Sequence, residues 1–484
     1  MSEAYKDVVI GLEAHIQLTN LKTKLFCGCD ANYYGKEPNV CVCAGCLGFP
    51  GTFPIINKKA IEFAIRLGLA LGCKINESMY FFRKNYFYPD MAKNFQLTLY
   101  NKLGGHAFAD GGKVQIKINN EKKDIRLNRI HLEEDPARLV HIGSISTTPY
   151  TLVDYNRSGI TLIEVVTDPV ISSPEEAREY LNQLKSIVQY TGISDLNVEG
   201  SCRVDANISI KGSARVEVKN INSFKEVERA LKWEIQRHKN SIKMGKIIFQ
   251  ETRGWDEKRR ITFPMRTKEF EKDYRYFPEQ DLVPIEIDKD FVAQIKKQLP
   301  EMPIDRSKRF QKEYGLSEFD ADNLVIDKDI ADFFEVGIKL DSKFGNEDYK
   351  LYCNWLMNDI CGWLNENGKS IKEVKLRSNY IVELINFIKE GKITTKIAKT
   401  FIADMMKGEP ISKIVKKSGK TRIADKNEII EVVKEVVDEN FDIIKDYDKN
   451  PRALEALIGK CMQKTNGQLD PKITREILLD LIKK

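Results

Sequence analysis

Apolar and polar residues alternate strictly from Val8 to Gln17. Val8, Ile10, Leu12, Ala14 and Ile16 share one face of an extended chain, and Gly11, Glu13, His15 and Gln17 share the other. The pattern predicts a strand whose back lies in a core and whose front carries a carboxylate beside an imidazole. Such a pair suits a divalent metal or proton transfer at a phosphate, and it equally suits the solvated face of an edge strand. A longer period follows, in which Asn57 caps a helix running through Ile61, Ile65 and Leu69 toward Gly72. From about Lys113 to Asp168 strands return, separated by turns, and Glu164 stands alone in the apolar run Ile160 to Val166. A lone buried carboxylate costs several kcal/mol unless it is paired, so Glu164 requires a partner, and a cation is the economical choice.

Ser173, Pro174 and Glu176 open a second helix that ends near Gly192. Residues 203–210 and 215–219 then alternate about Lys211-Gly212-Ser213 as a hairpin, with Asp205 and Asn207 on one face. Ser223 and Glu226 open a long amphipathic helix that ends by Gly245. Strand signals cease beyond about Asp288, and helical periodicity fills the remainder. The pattern predicts an α+β domain over residues 1–294, a helical domain over 295–407 and a helical tail over 408–484. Three tail helices have starts at Asp425 with Glu428, at Asn450-Pro451 and at Asp470-Pro471.

The formal net charge of +6 in 484 residues permits an RNA partner without demanding one. No secretory leader and no apolar run of about 20 residues is present, which predicts a cytosolic chain with no membrane span. Five of the ten cysteines crowd between Cys27 and Cys46. Crowding of that kind in a cytosolic chain points to metal before disulfides. Cys27 and Cys29, with Cys43 and Cys46, form two knuckles able to close a tetrahedron around a structural zinc, leaving Cys41 spare. Gly45-Cys46-Leu47-Gly48 comes near a glutaminase elbow, but Ala44 replaces the first glycine, and Cys46 is not assigned as a nucleophile. Aromatic and basic residues interleave in Phe81 to Asp90 and again between Gln250 and Pro284, a pattern that fits stacking on nucleotides or an aromatic core. No phosphate loop or dinucleotide glycine motif occurs, so any ATP must be held through metal and carboxylates.

Gly11-Leu12-Glu13-Ala14-His15, Arg83-Lys84-Asn85-Tyr86-Phe87-Tyr88-Pro89-Asp90, His131-Leu132-Glu133-Glu134-Asp135 and Leu152-Val153-Asp154-Tyr155-Asn156-Arg157-Ser158-Gly159 closely resemble the B subunit of the glutamyl/aspartyl-tRNA amidotransferases. Lys219-Asn220-Ile221-Asn222-Ser223-Phe224 and the Arg253 to Pro278 segment do so too, and the last three helices look like that family's tRNA-docking tail. The resemblance implies a catalytic domain of the glutamine synthetase and guanidino kinase type. It implies ATP- and magnesium-dependent phosphorylation of the side-chain carboxylate of Glu-tRNA(Gln) or Asp-tRNA(Asn), followed by amidation with ammonia from a glutaminase A subunit. A small C subunit completes the implied heterotrimer.

By the same resemblance the catalytic set carries over to Glu13, His15, Glu134, Glu164 and Asp205, with Glu13, His15, Glu134 and Glu164 as magnesium ligands and Glu133 close by at the ATP. Lys84 is the candidate polar lining of the ammonia route. The chain departs from the family at Pro136-Ala137-Arg138, in a short insertion before Tyr150, at Asp168 to Pro174 and at Gln280, and none of these removes a proposed ligand. Two other readings compete with this one. A zinc-stabilised RNA-binding scaffold gives Glu164 no reason to be buried. A self-sufficient glutamine-dependent enzyme needs a Ser-Ser-Lys amidase signature that the chain lacks.

Overall fold

The computed structural model describes residues 5, 7–141, 150–221, 223–267, 274–419, 426–440, 453–465 and 468–482. The insertion before Tyr150, Asn222, residues 268–273 of the Arg253 to Pro278 segment, and the helix starts at Asp425 and Asn450-Pro451 lie largely or wholly outside them. The chain divides into two compact units, Met1–Pro303 and Ile304–Lys484.

The first unit is built on a mixed sheet whose main path contains ten strands. They are β1 (Val8–Gln17), β2 (Phe81–Asn85), β3 (Phe95–Leu99), β4 (Glu121–Glu134), β5 (Thr161–Thr167), β6 (Cys202–Ile210), β7 (Val216–Ile221), β8 (Glu251–Asp256), β9 (Ile261–Thr267) and β10 (Phe277–Pro278). Their spatial order is β9-β8-β7-β6-β1-β5-β4-β3-β2-β10, antiparallel throughout except for the parallel pair β7 and β8. The sequence-adjacent strands β1 and β2 are therefore far apart in the sheet, and β1 sits at its centre between β5 and β6.

The alternation that predicts β1 is realised in full. Val8, Ile10, Leu12, Ala14 and Ile16 are at most 5% exposed and belong to one core with Ala64, Leu181 and Leu231. Those three side chains come from α1 (Lys58–Ala70), α2 (Pro174–Thr191) and α3 (Phe224–Lys243). Burying each Ile or Leu of β1 is worth about 2 kcal/mol, which fixes the strand's facing, because a one-residue slip would place Glu13 and His15 in that core. The caps are where the sequence places them. Asn57 accepts from the amides of Lys59 and Ala60, Ser173 from that of Glu176, and Ser223 from that of Glu226, while α2 stops at Gly192 with φ of 69°. Glu176 closes its side of the α2 start on the amide of Ser172, one residue before the cap. A fourth helix, α4 (Lys289–Lys297), buries Ile295 in the same core.

The second unit is helical among its described residues. It holds two separate apolar clusters, one from Phe310 to Ile414 and one from Ile429 to Leu478. Asp470 caps the last helix, Pro471–Ile482, by accepting from the amide of Lys472. No helix of the described residues is long and apolar enough to cross a membrane.

Candidate active site

The front face of the sheet is polar because register stacks the charged positions of four strands into rows. Glu13 on β1 lies opposite Asp205 on β6 and Val166 on β5, and Val166 lies opposite Arg129 on β4. In the next row His15 faces Arg203 and Glu164, and Glu164 faces His131. One ligand atom each of Glu13, His15 and Asp205 comes within 4.8 Å of the other two, a spacing that a single metal ion can span.

Each of these donors is held by a neighbour. His15 Nδ1 donates to Glu133 Oε1 at 3.1 Å, Asn207 Nδ2 to Glu13 Oε1 at 2.9 Å, and Lys219 Nζ to Asp205 Oδ2 at 2.6 Å. Burial alone would depress His15, but its bond to Glu133 and the charges of Glu133, Glu164 and Asp205 outweigh it and hold the imidazole up at about 9. Burial pushes Glu13 up, and the neighbouring carboxylates Glu164, Asp205 and Glu217 push it further, against the pull of Lys219. Glu164 is the opposite case. Burial acts to raise it, yet its bond with His131 and the charge of His15 hold it below the usual carboxylate range. The required partner of Glu164 is thus an imidazole, with His131 Nδ1 at 3.2 Å from Glu164 Oε2.

The three consecutive acids of β4 go three separate ways. Glu133 meets His15, as above. Glu134 points to the other face, where its carboxylate accepts from Lys93 Nζ and from the amide of Leu97 at 2.8 Å. Asp135 pairs with Arg203 at 2.6 Å and with Arg157. The expected grouping of Glu134 with Glu13 and His15 is therefore corrected. Successive residues of a strand face opposite ways, so β4 can bring only one of Glu133 and Glu134 to the cluster, and it brings Glu133. Glu164 lies in the row of His15 but is outside the three-residue group that one ion could span, and Asp205 takes its place there.

Lys84 reaches the cluster from β2. Burial would lower its pKa, but the phenol of Tyr86 and the carboxylate of Glu133 raise it, with Glu164 adding to them, and its ammonium stands 5.1 Å from the ring centre of Tyr274. The aromatic segment around it divides between core and surface. Phe81 and Phe82 are core, whereas Phe87 is 70% exposed. The second aromatic and basic segment is tied inward. Arg253 bonds Thr262 and Glu251, and Trp255 Nε1 donates to Glu226 Oε2 at 2.9 Å.

Two cavities flank these groups. One of about 290 Å³ runs along Gly11 and Glu13 between Arg129, Asn207 and Arg215. The other, of about 280 Å³, lies on the opposite side of β4, lined by Glu134, Lys93, Arg83 and the loop carrying Cys46.

Cys27, Cys29, Cys43 and Cys46 present sulfurs all within 4.8 Å of one another, close to the ~3.8 Å separation that a tetrahedron with ~2.3 Å metal–sulfur bonds requires. The amide of Cys43 donates to Cys46 Sγ at 3.1 Å, a bond that favours a thiolate. The Cys27 thiol, donating to Cys46, holds Cys46 down at about 4 against the effect of burial, while Cys29 is pushed up to about 11, first by burial. Cys41 is buried outside the cluster, and its amide donates to Asn156 Oδ1 at 2.7 Å. Gln17, on the polar face of β1, accepts from Tyr33 and Tyr34 and so ties the knuckle loop to the strand.

His131, Lys219 and Arg203 are residues of the site that the sequence patterns do not single out. Lys219 had a signal: strict alternation in the hairpin places it on the face of Glu217, which the register joins to that of Asp205. His131 had none, since its pairing depends on β4 lying beside β5.

Comparison with known proteins matches residues 8–293 to the GatB/GatE catalytic domain and residues 332–482 to a GatB domain. Proteins named as the B subunit of aspartyl/glutamyl-tRNA(Asn/Gln) amidotransferase are similar along the whole length. The one from Sulfurisphaera tokodaii is 44% identical over 98% of this chain and 99% of its own. That from Sulfolobus acidocaldarius is 45% identical over 97% and 98%, and that from Carboxydothermus hydrogenoformans 42% over 99% of each. With a catalytic-domain match that covers more than half of its residues and relatives aligned from end to end, the chain belongs to the GatB/GatE family.

Proposed function

We propose that the chain is the B-type subunit of a tRNA-dependent amidotransferase, a carbon–nitrogen ligase acting on Glu-tRNA(Gln), Asp-tRNA(Asn) or both in the cytoplasm. Family membership supports the reaction class. The observation that carries the site is the crowding of Glu13, His15 and Asp205, held by Asn207, Glu133 and Lys219, in a charge balance that leaves Glu13 raised. A mostly antiparallel sheet with a carboxylate-bearing face supports assignment to the glutamine synthetase and guanidino kinase type of fold.

The reaction joins two anions. A side-chain carboxylate oxygen of the tRNA-bound residue attacks the γ-phosphorus of ATP, and the bond to ADP breaks. The lone pair of ammonia then adds to the acyl carbon, phosphate leaves with the attacking oxygen, and the nitrogen loses a proton. Positioning and charge neutralisation supply most of the acceleration in such a transfer. The carboxylate oxygens of Glu13 and Asp205 are hard donors that fit magnesium, with the His15 imidazole beside them and Glu164 adjoining. Magnesium supplies there the neutralisation of nucleotide phosphate charge. The chain's own groups do the rest. Arg129 and Arg215, lining the cavity beyond Glu13, suit the phosphates, and Lys84 stands where it can attract the transferring group. Glu134 and Lys93, on the other face, belong in this reading to the approach of ammonia.

The four sulfurs fit a structural zinc, which supplies a cross-link within the knuckle loop. Tail helices over 408–484 serve tRNA docking, and the separate apolar cluster from Ile429 to Leu478 supports a module that packs on itself there. A glutaminase A subunit and a small C subunit are the proposed partners. The test is Glu13→Gln, beside Glu164→Gln, in the chain purified with its partners. Both abolish tRNA-dependent ATP hydrolysis and leave tRNA binding intact, and unchanged hydrolysis overturns the catalytic assignment in favour of the scaffold.

A further inference from the structure

Lys24 is wholly buried, at 0% exposure, in the segment that links β1 to the cysteine loop. Among the described residues its ammonium has one hydrogen-bond partner, Cys46 Sγ at 3.7 Å. A lysine seldom lies fully buried without a carboxylate, because an ammonium taken out of water needs a compensating charge. Gly159, whose φ of 81° favours glycine, lies beside the pair, where a Cβ would make ordinary contacts at 3.5 Å with Cys46 Cβ, 3.7 Å with Lys24 Cδ and 3.9 Å with Glu134 Oε2. The backbone is also tied in on both sides. The Lys24 amide donates to the Cys29 carbonyl at 3.1 Å, the Leu25 amide donates to the Gly159 carbonyl at 3.0 Å, and Ser158 Oγ donates to the Cys46 carbonyl at 2.8 Å.

We propose that Lys24 is a built-in countercharge of the four-cysteine cluster, positioned to hold the Cys46 thiolate and to offset the charge of a zinc tetrathiolate. This rests on the metal reading of the cluster given above. Four thiolates around a divalent ion leave two negative charges at a partly buried site. An ammonium at 3.7 Å from one sulfur removes half of that excess while satisfying itself. With zinc bound, Lys24 stabilises the site. Without zinc, the tetrathiolate charge that Lys24 offsets is absent, and most of its contribution goes with it.

That dependence on zinc separates a countercharge from a packing residue. Zinc affinity is measured by chelator competition, and thermal unfolding is recorded with zinc and after its removal, on the full chain and on Lys24→Met and Lys24→Gln. Met keeps the length of the side chain, and Gln keeps an N–H donor but not the charge. Both variants are expected to bind zinc about ten-fold more weakly, in the range found for groups that support metal ligands. Lys24→Met is expected to lower the melting temperature more when zinc-loaded than when metal-free. Equal zinc affinity in all three proteins overturns the role of Lys24 alone. An equal fall in melting temperature with and without metal shows a packing residue and overturns it as well. No zinc on the unsubstituted chain overturns the metal reading, and the role of Lys24 with it.

Discussion

The acid cluster and the cysteine cluster are both groups of donors gathered within the span of one ion, and they are assembled in opposite ways. Glu13, His15 and Asp205 come from β1 and β6, nearly 200 residues apart in sequence, and owe their meeting to sheet register. The four cysteines come from one stretch of 20 residues, Cys27 to Cys46. A site made by register inherits the rigidity of the core behind it, which suits a reacting geometry. A site made by a loop gives rigidity to that loop. The first should therefore fail in chemistry while the fold persists, and the second in the fold while the chemistry persists.

The largest effect that would break this contrast is on turnover. In the enzyme with its partners, Glu13→Gln lowers tRNA-dependent ATP hydrolysis by on the order of 10³-fold, whereas Cys27→Ser with Cys46→Ser changes it by less than about ten-fold at temperatures where the protein is folded. Steady-state kinetics of the two variants side by side decide it, and equal losses would dissolve the distinction. Next in size is stability. The double cysteine variant loses its zinc by metal analysis and melts on the order of 10 °C lower, a difference that chelator reproduces in the unsubstituted chain.

A third prediction uses a buried carboxylate outside both clusters. Burial acts to raise Glu234, but its bonds with His238 and Arg237 hold it at about 2, below its ordinary value of 4.5. An acid with a depressed folded pKa stabilises the protein above its unfolded pKa, and that contribution is lost as the pH falls through the folded one. For Glu234 the window runs from about 4.5 down to about 2 and is worth about 3 kcal/mol. Acid unfolding followed by circular dichroism should therefore be flatter across that window in Glu234→Gln. Glu13 has the reverse sign. Its raised pKa means that ionised Glu13 costs stability at neutral pH, so metal-free Glu13→Gln should melt slightly higher than the parent, and a lower melting temperature would show that the carboxylate is structurally satisfied.

The two clusters also differ in how far the sequence reveals them. Spacing alone picks out Cys27, Cys29, Cys43 and Cys46 and leaves Cys41 spare, and the sulfurs meet as expected, because a short loop has few other ways to fold. For the acids, alternation correctly faces Glu13, His15, Asp205 and Asn207 forward, since each strand's apolar back fixes its front. Alternation says nothing of which strands are neighbours. His131 as the partner of Glu164, and Lys219 as that of Asp205, follow from strand order. Glu134 is instructive for another reason. Two adjacent acids in one motif cannot share a face, and β4 sends Glu133 to His15 and Glu134 to Lys93. Lys24 was hidden because a lysine in the polar run Lys22-Thr23-Lys24 looks like a solvated residue until its burial is known.

The central claim is that the acid cluster holds ATP and a tRNA-bound carboxylate together for direct phosphoryl transfer. It is tested most directly by labelling both side-chain carboxylate oxygens of misacylated tRNA with oxygen-18 and following the label through one turnover with ATP and glutamine. Direct transfer predicts that one labelled oxygen leaves in inorganic phosphate with the unsubstituted enzyme, and that Glu13→Gln forms no labelled phosphate. Amide formation accompanied by unlabelled phosphate would contradict it.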